Sequence, residues 1–350
     1  MSASIGAQGM REVVARRAPV GLRTGWLLAG TSVVAVLVLV SVAVGTRGVA
    51  LDDVVGALTG SDGGDEIGRA AIEKRLPRTV LALLVGSSLA VSGATMQAIT
   101  RNPLAEPGIL GVSSGAALAV VIGVAFFSMA DPYAYMVVAV AGAAIASILV
   151  YVVGSLGHGG TTPLKLALAG AAMTAAFSSL VNAILLPRLD VMTTFRFWQI
   201  GGVGGASWDR IAVALPVLVA GLVICLANAS GMNLLALGDE LAAGLGAGVA
   251  RTRVVSALGA VLLCGVATSV AGPIAFVGLV VPHVCRLVIG SDHRWLLPMS
   301  ALGGAGLLVA ADTVGRVVAR PQEVEVGIVT AMIGAPVLIW VVRRTKLREL

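Results

Sequence analysis

This chain has little charge and few aromatics: 12% of its 350 residues are Asp, Glu, Lys or Arg, and aromatics make up 4%. Soluble domains carry about twice that share of charge, so a water-exposed globular fold is excluded. Lysine is nearly absent. Lys74, Lys165 and Lys346 are the only lysines and none follows a glycine, which excludes a Walker A phosphate loop and ATP binding in that mode. Cys225, Cys264 and Cys285 show no CxxC spacing, and His158, His283 and His293 stand apart from one another and from any thiol pair. A disulfide framework, a metal site and a cofactor are therefore not expected. The net charge of +6 comes from basic residues scattered between apolar runs, without the aromatic-studded groove of a nucleic-acid binder.

What is abundant is apolar sequence: 57% hydrophobic residues and 45 glycines. This is the composition of an all-α polytopic membrane protein, because backbone polar groups in lipid must be satisfied within helices. Ten spans are predicted, at Trp26–Val44, Thr79–Met96, Ile109–Phe127, Tyr135–Leu156, Leu164–Leu186, Ile211–Ala229, Val249–Val270, Ile274–Ile289, Trp295–Asp312 and Val326–Val342. A cleaved signal peptide competes for the first, but its apolar core is longer than the roughly 7–15 residues of such signals. Pro273 and Pro282 predict a broken helix in the eighth. The spans form one domain, 24–344, between a basic tail, 1–23, and a short tail, 345–350. Lys and Arg favour the connections on the side of the N-terminus, which places both termini in the cytoplasm.

Three stretches carry function. Arg75 to Ala117 begins with arginines around Pro77, crosses the bilayer and breaks at Asn102, Pro103 and Pro107. A weak internal echo pairs its Ser92–Gly93 with Ala271–Gly272 as hinges of two repeats. Gly231 to Arg253, the longest inner connection, carries Asp239 and Glu240 on a small-residue amphipathic segment that predicts one or two short surface helices. Ser178, Ser179, Asn182 and Gln199 around the fifth span, with Ser92 and Gln97 on the second, are candidates to line a path. Hydrogen bonding between helices is the alternative for such a residue in lipid. Arg75, Arg78 and Arg316 gather on the outer side, where basic residues are disfavoured. They either pair with Glu73 and Asp312 and snorkel to lipid phosphates, or capture carboxylates of a partner.

The runs RLPR, RNPLAEPGILGVSSGA, YVVGSLGHGGTTPLKLALAGAA, FRFWQIGG, MNLLALGDELAAGLG, AGPIAFVGLVVPHVCRLVIGSDHRWLLP and ADTVGR resemble the transmembrane subunits of ABC importers for iron chelates, heme and cobalamin, the FecCD/BtuC-like permeases. Phe195 to Gly202 and Val281 to Pro298 most resemble the ferric-enterobactin, catecholate-siderophore subunits. The resemblance implies the two-repeat type II ABC importer permease architecture and a non-enzymatic transport subunit in the cytoplasmic membrane. Its implied partners are a second permease subunit, with a heterodimer favoured over a homodimer, two cytoplasmic ATP-binding subunits, an extracytoplasmic siderophore-binding protein and a ferric siderophore. It assigns Leu237, Gly238, Asp239, Glu240, Leu241 and Gly246 to ATPase coupling. Arg75, Arg78 and Arg316 become docking residues for the binding protein. Asn102, Leu104, Thr161, Thr162 and Pro163 become the inner narrowing of the path. Glu325 stands where many relatives have proline, which puts the start of the last helix in question. Permeases for heme or cobalamin, and an ion-coupled secondary transporter, are the competing readings, although the last would show charged residues in mid-span.

Overall fold

The computed structural model describes residues 19–45, 66–156 and 163–346. Its helices are α1 (Val20–Ala43), α2 (Glu66–Thr100), α3 (Val112–Phe127), α4 (Pro132–Ser155), α5 (Pro163–Leu185), α6 (Leu189–Ile200), α7 (Trp208–Ala227), α8 (Ala229–Leu235), α9 (Asp239–Gly244), α10 (Val249–Ala271), α11 (Val277–Ile289), α12 (His293–Val318) and α13 (Val326–Lys346). Seven are long and apolar enough to cross a membrane, and the shorter apolar helices α3, α11 and α13 complete the ten expected crossings. The face at which α1 begins is called inner below, and the opposite face outer.

The second crossing is longer than its apolar run. Helix α2 starts at Glu66, thirteen residues before Thr79, and carries Pro77 and both arginines within it. At 1.5 Å per residue its 35 residues extend about 50 Å. It is the central element, buried against α10, α11 and α12, while α1 lies at the periphery with most of its side chains exposed. Such packing in lipid depends on small residues. A Cβ on Gly86 would lie 2.2 Å from the Gly304 carbonyl oxygen of α12, and one on Gly93 would lie 1.9 Å from that of Gly278 in α11.

Pro282 has no N–H, so the Gly278 carbonyl lacks its donor within α11. Gln97 Nε2 supplies one at 3.3 Å, and reaches the Leu279 carbonyl at the same distance. Gln97→Leu is expected to destabilise the purified chain by about 1–3 kcal/mol, because that buried acceptor would then be unsatisfied. A melting temperature equal to that of the wild type would contradict this role.

The eighth crossing is a half-helix, broken beside Pro273 as expected, although α11 runs on unbroken through Pro282. Residues 272–276 leave the helical path, with Gly272 at φ 70 and Phe276 at φ 69, before α11 begins. The repeat echo does not extend to this detail, because α2 runs unbroken through Ser92 and Gly93. Helix α6 is an element the sequence reading left inside a connection. Val191 and Phe195 pack with Val121, Val181 and Leu185, and Trp198 Nε1 donates to the Ser269 carbonyl at 3.2 Å. The i, i+4, i+7 spacing of Val191, Phe195 and Trp198 was the available signal.

Candidate functional site

On the outer face, α1 ends against arginines. The last carbonyls of a helix have no donor within it and carry its partial negative charge. Arg75 Nη1 donates to the Val42 and Ala43 carbonyls at 2.9 and 3.1 Å. Arg316 Nη1 donates to those of Ser41 and Val44 at 3.0 and 3.3 Å, and its Nη2 donates to Ser41 Oγ at 2.6 Å. Arg320 donates to the Gly45 carbonyl. Asp312 supplies the countercharge: Arg78 Nη2 and Nε meet Oδ1 at 2.8 and 3.0 Å, and Arg316 Nε meets Oδ2 at 3.1 Å.

The sequence reading of Arg75 and Arg316 as docking residues is corrected by their surroundings. Arg316 is 2% exposed, Asp312 1% and Arg75 7%, so the cluster clamps α1, α2 and α12 together. Pairing of arginine with Asp312, the competing alternative, is what the geometry contains. Of these three, Arg78 reaches toward the surface through Glu323 Oε2 at 2.6 Å, beside the exposed Arg320.

Beside the cluster, α3, α4, α6, α7 and α10 enclose an outer cavity of about 400 Å³ whose lining includes Tyr135, Phe195, Trp198, Arg210, Ser269 and Glu325. Its residues come from separate segments, so no local pattern announces it. Glu325 leaves the start of the last helix intact: its carbonyl accepts from Ile328 N at 3.0 Å, and α13 begins at Val326 as expected. Its carboxylate lies against Gly202, where a Cβ would come within 1.9 Å of Oε2. Burial raises its pKa above the ordinary carboxylate value, against the pull of Arg78.

Path candidates separate into two groups. Ser92 and Gln97 face inward to other helices rather than a passage, which corrects their assignment: Ser92 Oγ donates to the Ala260 carbonyl at 2.6 Å, and Gln97 is bound to α11. Ser178, Ser179 and Asn182 lie on an exposed face of α5, and Gln199 is exposed at the end of α6. Val181 and Leu185, which flank this stripe of α5, are buried against α3 and α6. Asn182 lies in the last turn of α5, at the outer end of the crossing, where its exposed amide reaches interfacial water or a neighbouring chain.

At the inner face, Arg101 ends α2 at φ 52, and Asn102 Oδ1 accepts from Leu104 N at 2.9 Å. Asn102, Glu106, Leu166 and Ala167 line one small pocket, which brings the break after α2 to the start of α5. Burial there raises the pKa of Glu106. Leu104 is exposed, and Pro163 is the first residue of α5. Thr161 and Thr162 lie outside the described residues.

The connection from Gly231 to Arg253 folds as predicted into short helices, α8 and α9. Leu237, Leu241 and Leu245 are all exposed, forming an apolar row in which Leu245 is an addition to the sequence reading. Glu240 and Gly246 are exposed as well. Gly238, at φ 102, makes the turn between the helices. Asp239 is held by Arg253 and Arg101. Helix α8 is braced by Asn233, whose Nδ2 donates to Asp292 Oδ1 at 2.7 Å and whose Oδ1 accepts from His293 N at 2.9 Å. Burial works to raise the Asp292 pKa, but the hydrogen bond from Asn233, with Arg294 and Arg23 nearby, leaves it lowered overall.

A bundle of ten apolar crossings, with a half-helix, a broken second connection and surface helices on one face, defines a multi-pass membrane permease. The chain belongs to the FecCD transport family, whose model matches residues 33–344. It is similar to the Probable siderophore transport system permease protein YfiZ of Bacillus subtilis, 46% identical over 270 residues covering 77% of this chain and 81% of that one. The Ferric enterobactin transport system permease protein FepD of Escherichia coli is 45% identical over 274 residues, 78% and 81% of the two chains. A solved structure described as an inward-facing conformation of a metal-chelate type ABC transporter matches with a TM-score of 0.79 at 27% identity, covering 92% of this chain and 99% of that one. The chain is thus a permease of the type II ABC importers for iron chelates.

Proposed function

We propose that this chain carries a ferric siderophore inward across the cytoplasmic membrane, alternating between outward-open and inward-open states as separate ATPase subunits dimerise and part. The observation that carries the reading is the set of exposed polar side chains Ser178, Ser179 and Asn182 near the outer end of the membrane-crossing helix α5. A second permease subunit, in a heterodimer rather than a homodimer, would cover them and enclose a path lined by weakly polar groups. Such a path suits a chelate whose iron is already fully coordinated. Prolines and short side chains at Asn102, Leu104 and Pro163, with Thr161 and Thr162, suit an inner gate that opens by small helix shifts.

The exposed row Leu237, Leu241 and Leu245, with Glu240 and the turn glycines Gly238 and Gly246, would seat in a groove of the ATPase. Both termini would be cytoplasmic, and residues 24–344 would act as one permease domain. An extracytoplasmic binding protein would dock on the outer face around the Arg78–Glu323 pair, since Arg75 and Arg316 are engaged inside. Siderophore as cargo is supported by the names of YfiZ and FepD. Heme is the alternative that the name of the Hemin transport system permease protein HmuU of Yersinia pestis keeps open, at 42% identity over 277 residues, 78% of this chain and 82% of that one.

A strain lacking this chain, given labelled ferric chelates, is expected to lose uptake of a catecholate siderophore and to keep uptake of cobalamin. The opposite pattern overturns the cargo. Proton-driven uptake that persists without any ATPase would favour a secondary transporter.

A further inference from the structure

Asp239 and Glu240 are neighbours at the start of α9, yet their surroundings differ. Asp239 Oδ1 lies 2.8 Å from Arg253 Nη2 and 3.5 Å from Arg101 Nη2. Arg253 stands near the start of α10, and Arg101 is the residue at which α2 ends, directly ahead of Asn102 and Leu104. One carboxylate oxygen therefore joins α9, α10 and the break after α2. The turn that delivers it is built on Gly238, whose φ of 102 is open to glycine and strained for other residues. Glu240, by contrast, is exposed beside Leu241.

We infer that Asp239 is a positioning residue that ties the ATPase-facing helix α9 to the loop after α2, so that displacement of α9 moves the Asn102–Leu104 segment. The inference rests on reading the chain as the permease of an ATP-driven importer. A hydrogen bond from Arg253 and an ion pair with Arg101, both on Oδ1, hold α9 against the ends of two long helices. Helix α2 is in turn fixed to α10 through Ser92 and to α11 through Gln97. With its body held, motion imposed at Arg101 falls on the short loop beyond it. Asp239, Arg101 and Arg253 are all partly exposed, so the link contributes little to the stability of the fold. Its effect lies in geometry.

The test uses the complete importer reconstituted in vesicles, with cargo uptake and ATP hydrolysis measured on the same preparation. Asp239→Asn is expected to lower transport per ATP by about 5-fold or more, the scale of a typical coupling free energy. Co-purification of the ATPase should be retained, and Asp239→Glu should recover part of the ratio. An Arg101→Cys, Asp239→Cys double variant should lose the ratio, and a short bis-thiosulfonate cross-linker should restore it. Asp239→Asn with the wild-type ratio, loss of ATPase co-purification, or no rescue by the cross-linker would each overturn the inference. Wild-type vesicles without ATP-driven uptake would instead refute the importer reading itself.

Discussion

Asp312→Ala is expected to destabilise the protein by about 3–5 kcal/mol, the cost of breaking a buried ion pair by removing one partner. Asp312 serves both Arg78 and Arg316 at distances of 2.8 to 3.1 Å and is 1% exposed. Without it two guanidinium groups face each other inside the protein, and the donors that hold the end of α1 lose their countercharge. Glu323→Gln is the contrast. Its pair with Arg78 is at the surface, and its loss should cost about 0–1 kcal/mol. Thermal unfolding of the detergent-purified chain measures both. Equal melting temperatures for the two variants would remove the structural role assigned to the cluster.

Gly93→Ala should be almost as damaging, at about 3 kcal/mol or more, beyond the usual range for an overpacked core because the obstacle is backbone. The added Cβ would lie 1.9 Å from the Gly278 carbonyl oxygen, so α2 and α11 must separate. Their separation would also draw Gln97 away from the carbonyl freed by Pro282. Gly25→Ala in α1 provides the control: nothing lies within 4 Å of the added atom, and replacing a mid-helix glycine should stabilise by about 0.5–1 kcal/mol. Yield of monodisperse protein and melting temperature report the difference. A Gly93→Ala chain as stable as the Gly25→Ala chain would show that the two helices can part without cost.

The ten crossings were legible in the chain because a span needs only about 20 apolar residues in a row, a local property. The break at Asn102 to Pro107 and the break beside Pro273 were legible for the same reason, since proline acts on its own backbone and that of its neighbours. The short helices after Gly231 followed from amphipathic spacing. What sequence could not assign was which groups meet across the bundle. Arg75, Arg78 and Arg316 could be read as internal ion pairs or as docking forks, and the resemblance favoured docking. The choice was made by where α1 ends, because its unpaired carbonyls and Asp312 draw the guanidinium groups inside. Ser92 and Gln97 read as path lining until α10 and α11 supplied acceptors for them. Asn182 remained exposed in the last turn of α5, although Val181 and Leu185 beside it are buried. Span, break and turn are properties of neighbouring residues and were determined by the sequence alone. The burial of a polar side chain depends on partners up to 275 residues away, as in Arg316 with Ser41, and only the tertiary structure decided it.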